Sequence, residues 1–232
     1  MGLLLDLFFP KRCIQCKKFG AYVCASCFAK IQFDDALLCF VCNRSAMQGM
    51  THPMCKTRYT IDGIFSCLVY RGVVKRLLYV FKFQPHITDV EGLLRDLFYE
   101  GFIQSESFYR HVDKDTLIMP IPLSAAKFRS RGYNQSALLA KGIAKRMQLR
   151  FVDGLKRIKH TQPQVGKDRE EQKRNMKGAF QLDKKAEALI KEKTIFLVDD
   201  IVTSGATLRE AAAVLKHNGA KRVFGLALAH GQ

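Results

Sequence analysis

The sequence predicts an α/β protein, a mainly parallel sheet flanked by helices and preceded by a small cysteine-rich metal module. Three observations predict it. From about residue 64 onward, short apolar runs alternate with helical patterns, the order that builds parallel sheets. Seven of the eight cysteines fall before residue 56, six of them in C-x2-C pairs. The chain has 232 residues, 48% of them hydrophobic, which is enough for one medium core and one small module. The expected division is a metal module over 1–58 and the sheet domain over 59–232.

The apolar stretch from Gly2 to Phe9 carries Asp6 and is too short to span a bilayer. No basic region precedes it, so a cytoplasmic protein is expected, with this stretch as a short helix on the body. In that compartment C-x2-C pairs read as thiolate metal knuckles rather than disulfides. Cys13, Cys16, Cys24 and Cys27 supply four soft ligands at close spacing, which suits tetrahedral Zn²⁺. Cys39, Cys42 and Cys55 supply three more, and His52, in the H-x2-C run His52–Cys55, is the natural fourth. Spacing alone leaves open a cross-braced pairing of the knuckles and one or two zinc ions. So short a module builds little core of its own, and metal would supply much of its folding energy.

Tyr59 to Gly63 reads as the junction. A strand over Ile64–Tyr70 follows, with Cys67 as a core residue, and then a helix carries Val73, Val74, Leu77, Leu78 and Phe81 on one face. A second helical pattern runs from about Asp89 to Phe108. Thr116–Ile121 is a short buried strand, and Ala137–Met147 is a helix capped by Asn134 or Ser136. Lys156 to Lys177 is charged and lacks periodicity, so a mobile loop or flap is expected there. Gly178–Leu182 and Lys221–Ala229 read as further strands.

Residues 194–208, TIFLVDDIVTSGATL, carry the chemistry. Ile195 to Val198 form a strand buried on both faces, and Asp199 and Asp200 sit where it should emerge. Thr203, Ser204, Gly205, Ala206 and Thr207 make a small hydroxylated loop into a helix. Thr207 and Glu210 have capping-box spacing, Leu208, Ala211, Ala212 and Leu215 share a face, and Gly219 stops the helix. A glycine-containing loop at a helix N-terminus favours an anion. Two adjacent carboxylates accept hydrogen bonds from sugar hydroxyls or help to hold Mg²⁺. The combination fits a sugar phosphate.

The formal net charge is +17, and residues 121–180 hold 15 Lys and Arg against 4 Asp and Glu. That block points to a polyanionic partner, a phosphorylated substrate, or both. Lys127, Phe128, Arg129, Arg131 and Tyr133 interleave cations with rings. They read either as a single-strand groove or as diphosphate-binding cations with the two rings in the core.

The run Asp199-Asp200 followed by Thr203–Thr207 resembles the phosphoribosyl-diphosphate (PRPP) signature of type I phosphoribosyltransferases. That resemblance implies that the two Asp hold the ribose hydroxyls with Mg²⁺ and that Thr203–Thr207 hold the 5′-phosphate. Three further elements line up: Tyr70–Lys75 with Phe81-Lys82-Phe83; Pro120–Leu123 with Arg131-Gly132-Tyr133-Asn134-Gln135; and Arg157, Thr161, Gln162 and Gln164 with Arg174-Asn175 and Gly178-Ala179-Phe180. With the paired knuckles, the chain resembles the ComF family, a double zinc ribbon joined to a domain of type I phosphoribosyltransferase fold. It departs where that family often closes its second ribbon with C-x2-C, since here Cys55 is followed by Arg58. The resemblance implies PRPP binding and the handling of single-stranded DNA beside DNA-uptake machinery. It leaves open an active phosphoribosyltransferase or a PRPP-sensing adaptor, and no acceptor pocket or general base is legible.

Overall fold

Branched and aromatic residues with short polar punctuation build five strands that lie side by side and all parallel. The computed structural model describes residues 11–34, 37–84, 88–103, 105–159 and 169–231. The sheet runs in the order β1 (Gly63–Val69), β7 (Arg222–His230), β6 (Thr194–Val202), β2 (Leu117–Pro120), β3 (Arg150–Phe151). Its central strands are apolar on both faces. Phe196 and Val198 of β6 and Phe224 and Leu226 of β7 enter one core, and Ile195, Leu197, Val223 and Ala227 enter the other.

Helices α2 (Gly72–Phe83), α3 (Thr88–Ile103) and α6 (Gln135–Met147) cover the first face. On the second lie α9 (Ala206–His217), α8 (Glu187–Ile190) and an antiparallel pair, β4 (Leu155–Arg157) with β5 (Phe180–Leu182). Connections β2-α6-β3 and β6-α9-β7 run in opposite directions from the centre, so right-handed crossovers place α6 and α9 on opposite faces. The crevice between β2 and β6 is therefore a topological switch point, where α/β proteins bind ligands.

Two expectations are corrected. The helical pattern over 89–108 is not one helix: α3 ends at Ile103, and a separate short helix α4 (Glu106–Tyr109) is capped by Ser105, whose Oγ accepts from the Phe108 N–H. Nor is 156–177 a plain loop. It opens with β4 and closes with α7 (Arg169–Met176), where Met176 and Gln172 are buried. Residues 160–168, with Thr161, Gln162 and Gln164, lie outside the described residues, as does the Gly2–Phe9 stretch.

The cysteine-rich segment does not sit apart. Its one described α-helix is α1 (Ala25–Phe28), and Cys13 and Cys27 join the first core while Phe40 joins the second. Between them the chain runs along the free edge of β1: Phe33 bridges Leu68, Asp34 N–H donates to Cys67 O and Val69 N–H donates to Gln32 O. Pairing of this kind covers an edge that would otherwise recruit another strand. Cys67 is buried as expected, its thiol pushed up by desolvation. Among the described residues, no helix is long and apolar enough to cross a membrane.

Candidate functional site

β2 pairs with β6 only as far as Pro120 opposite Val198, and Ile121 N–H makes a last bond to Val198 O at 2.9 Å. The chain then turns away, and β6 runs on past its neighbour. Asp199 and Asp200 occupy that overhang at the switch point. Asp199 Oδ1 accepts from Ser136 Oγ at 3.0 Å and from the Asp200 N–H at 2.9 Å. Asp200 Oδ2 is 2.7 Å from Lys82 Nζ, with both side chains largely covered. Burial, then the neighbouring Asp200 charge, raises the Asp199 carboxyl to about 7, against the opposing pull of the Asp200 N–H, Lys82 and Ser136.

A small pocket lined by Asp199, Ile201, Val202, Thr203 and Gly205 to Leu208 opens beside the pair. Gly205 is the N-cap of α9 at φ +71°, a left-handed conformation that glycine adopts without strain. Here the expected capping box is corrected. Helix α9 starts at Ala206, no side chain caps it, and Glu210 Oε1 instead accepts from the Gly178 N–H at 2.7 Å. Ser204 is buried and its Oγ donates to Gln172 Oε1 of α7, so only part of the hydroxyl set lines the pocket. Thr203 is exposed.

Cations converge on the acidic pair from three elements. Lys127 lies on α5 (Ala125–Arg131), a short helix capped by Ser124 and closed by Gly132 at φ +78°. Its ammonium is pushed down by burial and then by the charges of Arg157, Arg131 and Lys82, with Asp200 opposing. Arg157, on β4, is held down by burial while Asp199 supports its charge. Arg131 donates to Gln135 Oε1 at 3.0 Å and lies 5.1 Å from the Phe83 ring. Arg129 is exposed on α5 and stands outside this group.

Lys82, Arg157 and Ser136 are the additions that sequence reasoning did not assign to the site. The available signal for Lys82 was a cation directly after the buried Phe81, at the covered flank of an amphipathic helix. Tyr133 donates from its hydroxyl to Phe81 O and packs edge-on to that ring, a structural tie. Asn134, not Ser136, caps α6, and its Nδ2 donates to Ile121 O at 3.0 Å. Phe128 is exposed, as are Tyr79 and Phe83 on α2, whose rings stand 5.0 Å apart.

The cysteines group sequentially. Cys13, Cys16, Cys24 and Cys27 bring their sulfurs within 4.8 Å of one another, as do the ligand atoms of Cys39, Cys42, His52 and Cys55. Tetrahedral zinc with bonds of about 2.3 Å sets sulfurs about 3.8 Å apart. Cys16 and Cys24 Sγ stand at 3.6 Å, so the geometry fits. His52 Nδ1 is 3.3 Å from Cys42 Sγ, while Nε2, 2.9 Å from Ser45 O, donates to that carbonyl and leaves Nδ1 to face the cluster. Burial raises the thiols of Cys13 and Cys39. Backbone N–H groups outweigh it and bring them to about 6 and about 7, nearer the thiolate that metals require.

Comparison with known proteins matches both halves. A phosphoribosyl transferase domain family covers residues 134–231, and a double zinc ribbon domain family covers 4–57. Competence protein F of Haemophilus influenzae is 28% identical over 237 residues, 96% of this chain and 99% of that one. The chain is similar to the ComF family in both of its parts. Competence protein ComFC of Bacillus subtilis is 27% identical over 220 residues, 85% of this chain and 79% of its own. DNA utilization protein YhgH of Escherichia coli K12 is 33% identical over 107 residues, 46% of this chain and 45% of its own. The ribbon match and the two four-ligand clusters together support zinc binding by this chain, each cluster having the donor set of a closed structural site.

Proposed function

We propose that this chain binds Mg²⁺–PRPP at the switch point and handles single-stranded DNA during DNA uptake, with zinc holding its N-terminal module. The observation that carries the ligand reading is the overhang of β6, which sets Asp199 and Asp200 beside the Gly205 loop. In this reading the two Asp accept from ribose hydroxyls with Mg²⁺, the backbone of 203–207 receives the 5′-phosphate, and Lys127 and Arg131 meet the diphosphate, joined by Lys82 and Arg157. Cys13, Cys16, Cys24 and Cys27 hold one zinc ion; Cys39, Cys42, His52 and Cys55 hold the other. The names of the relatives, two competence proteins and a DNA utilization protein, support the setting.

The DNA reading rests on the surface beside the site. Tyr79, Phe83 and Phe128 are exposed, Arg131 stands over Phe83, and Arg129 adds a cation. Rings offer faces on which bases of any sequence stack, and cations track the phosphates. Single-stranded DNA should bind with steep salt dependence, and Arg129→Glu with Arg131→Glu should flatten the log–log slope by about 0.7 for each phosphate no longer neutralised. Tyr79→Ala with Phe83→Ala should weaken binding by about 1–3 kcal/mol per unstacked base while keeping the slope. Salt-insensitive or absent DNA binding overturns the DNA half. Asp199→Asn with Asp200→Asn should abolish stabilisation by Mg²⁺–PRPP in a thermal shift assay, and full retention overturns the site.

An active phosphoribosyltransferase is the second reading. It is favoured by the convergence of Lys82, Lys127 and Arg157 on the acidic pair, with Arg131 beside Lys127, the charge complement that a departing diphosphate needs. Diphosphate release with one member of a nucleobase panel selects it.

A further inference from the structure

Phe40 lies in sequence between Cys39 and Cys42, yet its side chain belongs to the other half of the molecule. It is buried in the second core, and a Cβ built on Gly205 would come 3.0 Å from its ring and 3.2 Å from its Cβ. Its carbonyl accepts from Arg209 Nη1 at 3.3 Å, and the Arg209 N–H bonds Gly205 O at 2.9 Å in the first turn of α9. The Phe40 ring also meets His230 edge-on at 5.4 Å. His230 in turn holds Asp34 at 3.1 Å, with both side chains buried. One residue on, Gly231 N–H bonds Val202 O at 2.8 Å, and a Cβ there would lie 3.1 Å from Thr203 Cγ2. Phe40 is thus clasped by the segments that shape the 203–207 loop.

The knuckle that carries Phe40 is a tight turn. Asn43 N–H bonds Cys39 O at 2.7 Å, Cys39 N–H bonds Arg44 O at 2.9 Å, and Asn43 itself sits at φ +61°. A metal bridging Cys39 and Cys42 would lock that turn, and with it the position of the ring. The first cluster has no such reach, because Cys13 and Cys27 pack into the core on the opposite face of the sheet.

We infer that Phe40 is a positioning residue of the phosphate loop, supplied by the metal module, so that zinc at the second cluster and a phosphorylated ligand at 203–207 strengthen each other's binding while the first cluster stays uncoupled. The inference rests on the PRPP reading of the loop. Coupling of this kind is reciprocal: whatever factor zinc contributes to ligand affinity, the ligand returns to zinc affinity.

The test uses the full-length zinc-loaded protein and follows zinc release to a chromophoric chelator, with and without saturating Mg²⁺–PRPP. His52→Ala and Cys16→Ser assign the two release phases. PRPP should slow release from the second cluster by about fivefold or more, the lower end of ordinary coupling, and leave the first unchanged. Phe40→Leu, which keeps an apolar core residue but loses the ring, should retain both zinc ions, abolish the slowing and weaken PRPP by a similar factor. Slowing of neither cluster, or of both equally, with PRPP shown by calorimetry to be bound, overturns the coupling and leaves the functional reading intact. If PRPP does not bind, the functional reading falls and inorganic phosphate becomes the loop's probe. Selective slowing by phosphate then upholds the coupling, and its absence overturns that too.

Discussion

Lowering the pH from 8 to 6 should weaken Mg²⁺–PRPP binding through one half-buried carboxyl. Desolvation first, and the Asp200 charge second, raise Asp199 to about 7. Only the ionised form offers both oxygens to ribose hydroxyls. With that midpoint the ionised fraction is about one-tenth at pH 6 and about nine-tenths at pH 8, a tenfold span of affinity or about 1.4 kcal/mol. The sign follows from the proton count. The free site holds a proton below the midpoint and the bound site does not, so binding releases it and affinity rises with pH until it levels above 7. The ligand's own phosphate titrates near pH 6 in the same direction, so the informative quantity is the ratio of wild type to Asp199→Asn. Calorimetry at three pH values, in buffers of different ionisation enthalpy, yields both affinity and proton release. Near pH 7 the wild type should release about half a proton more than the variant. Parallel pH profiles for the two proteins would refute the reasoning. Without ligand the same raised carboxyl has a stability consequence: its contribution is greatest below the ordinary value of 3.8 and is lost as pH rises through about 7. Asp199→Asn should therefore narrow the loss of stability between those limits.

Gly205→Ala should lower stability by about 1–2 kcal/mol from its left-handed backbone and by about 1–3 kcal/mol more from crowding Phe40. Gly132→Ala, at φ +78° with open space around its Cβ position, isolates the backbone part in denaturant melts. Lys82→Met removes the ammonium 2.7 Å from a mostly covered Asp200 and should cost about 3 kcal/mol by urea unfolding, because one buried partner is left alone. Removing zinc with a chelator should unravel the segment carrying Cys13 to Cys55, seen as a loss of amide-exchange protection there before loss in β6 and β7, since metal ligation supplies folding energy to so small a module.

What was legible in the sequence is what local chemistry decides. The apolar run of β6, the acidic pair after it and the small-residue loop are contiguous, so their order is read directly from the chain. The cysteine knuckles are similarly local, and the H-x2-C run sufficed to nominate His52. Helices α2 and α6 declared themselves through one-sided apolar spacing, because each buries a single stripe. The misreadings came where a distant group outcompeted a near one. Glu210 has the spacing of a capping box, but the Gly178 N–H, brought in by the turn after α7, takes its carboxylate. The apolar pattern over 89–108 continues through a change of chain direction, because Phe102 and Phe108 bury into the same core from both sides of the break.

The sequence by itself therefore determined the main strands and helices, the order of strand, acidic pair and small-residue loop, and the eight candidate metal ligands, all of which rest on residues near one another in the chain. Only the tertiary structure decided how the eight ligands group into two quartets, which cations meet the acidic pair, and which cysteine cluster meets the 203–207 loop. Lys82, Lys127 and Arg157 come from three separate elements, and Phe40 reaches Gly205 across the fold. Contacts of that kind are set by the sheet order and the opposite crossovers of α6 and α9, which no local spacing encodes.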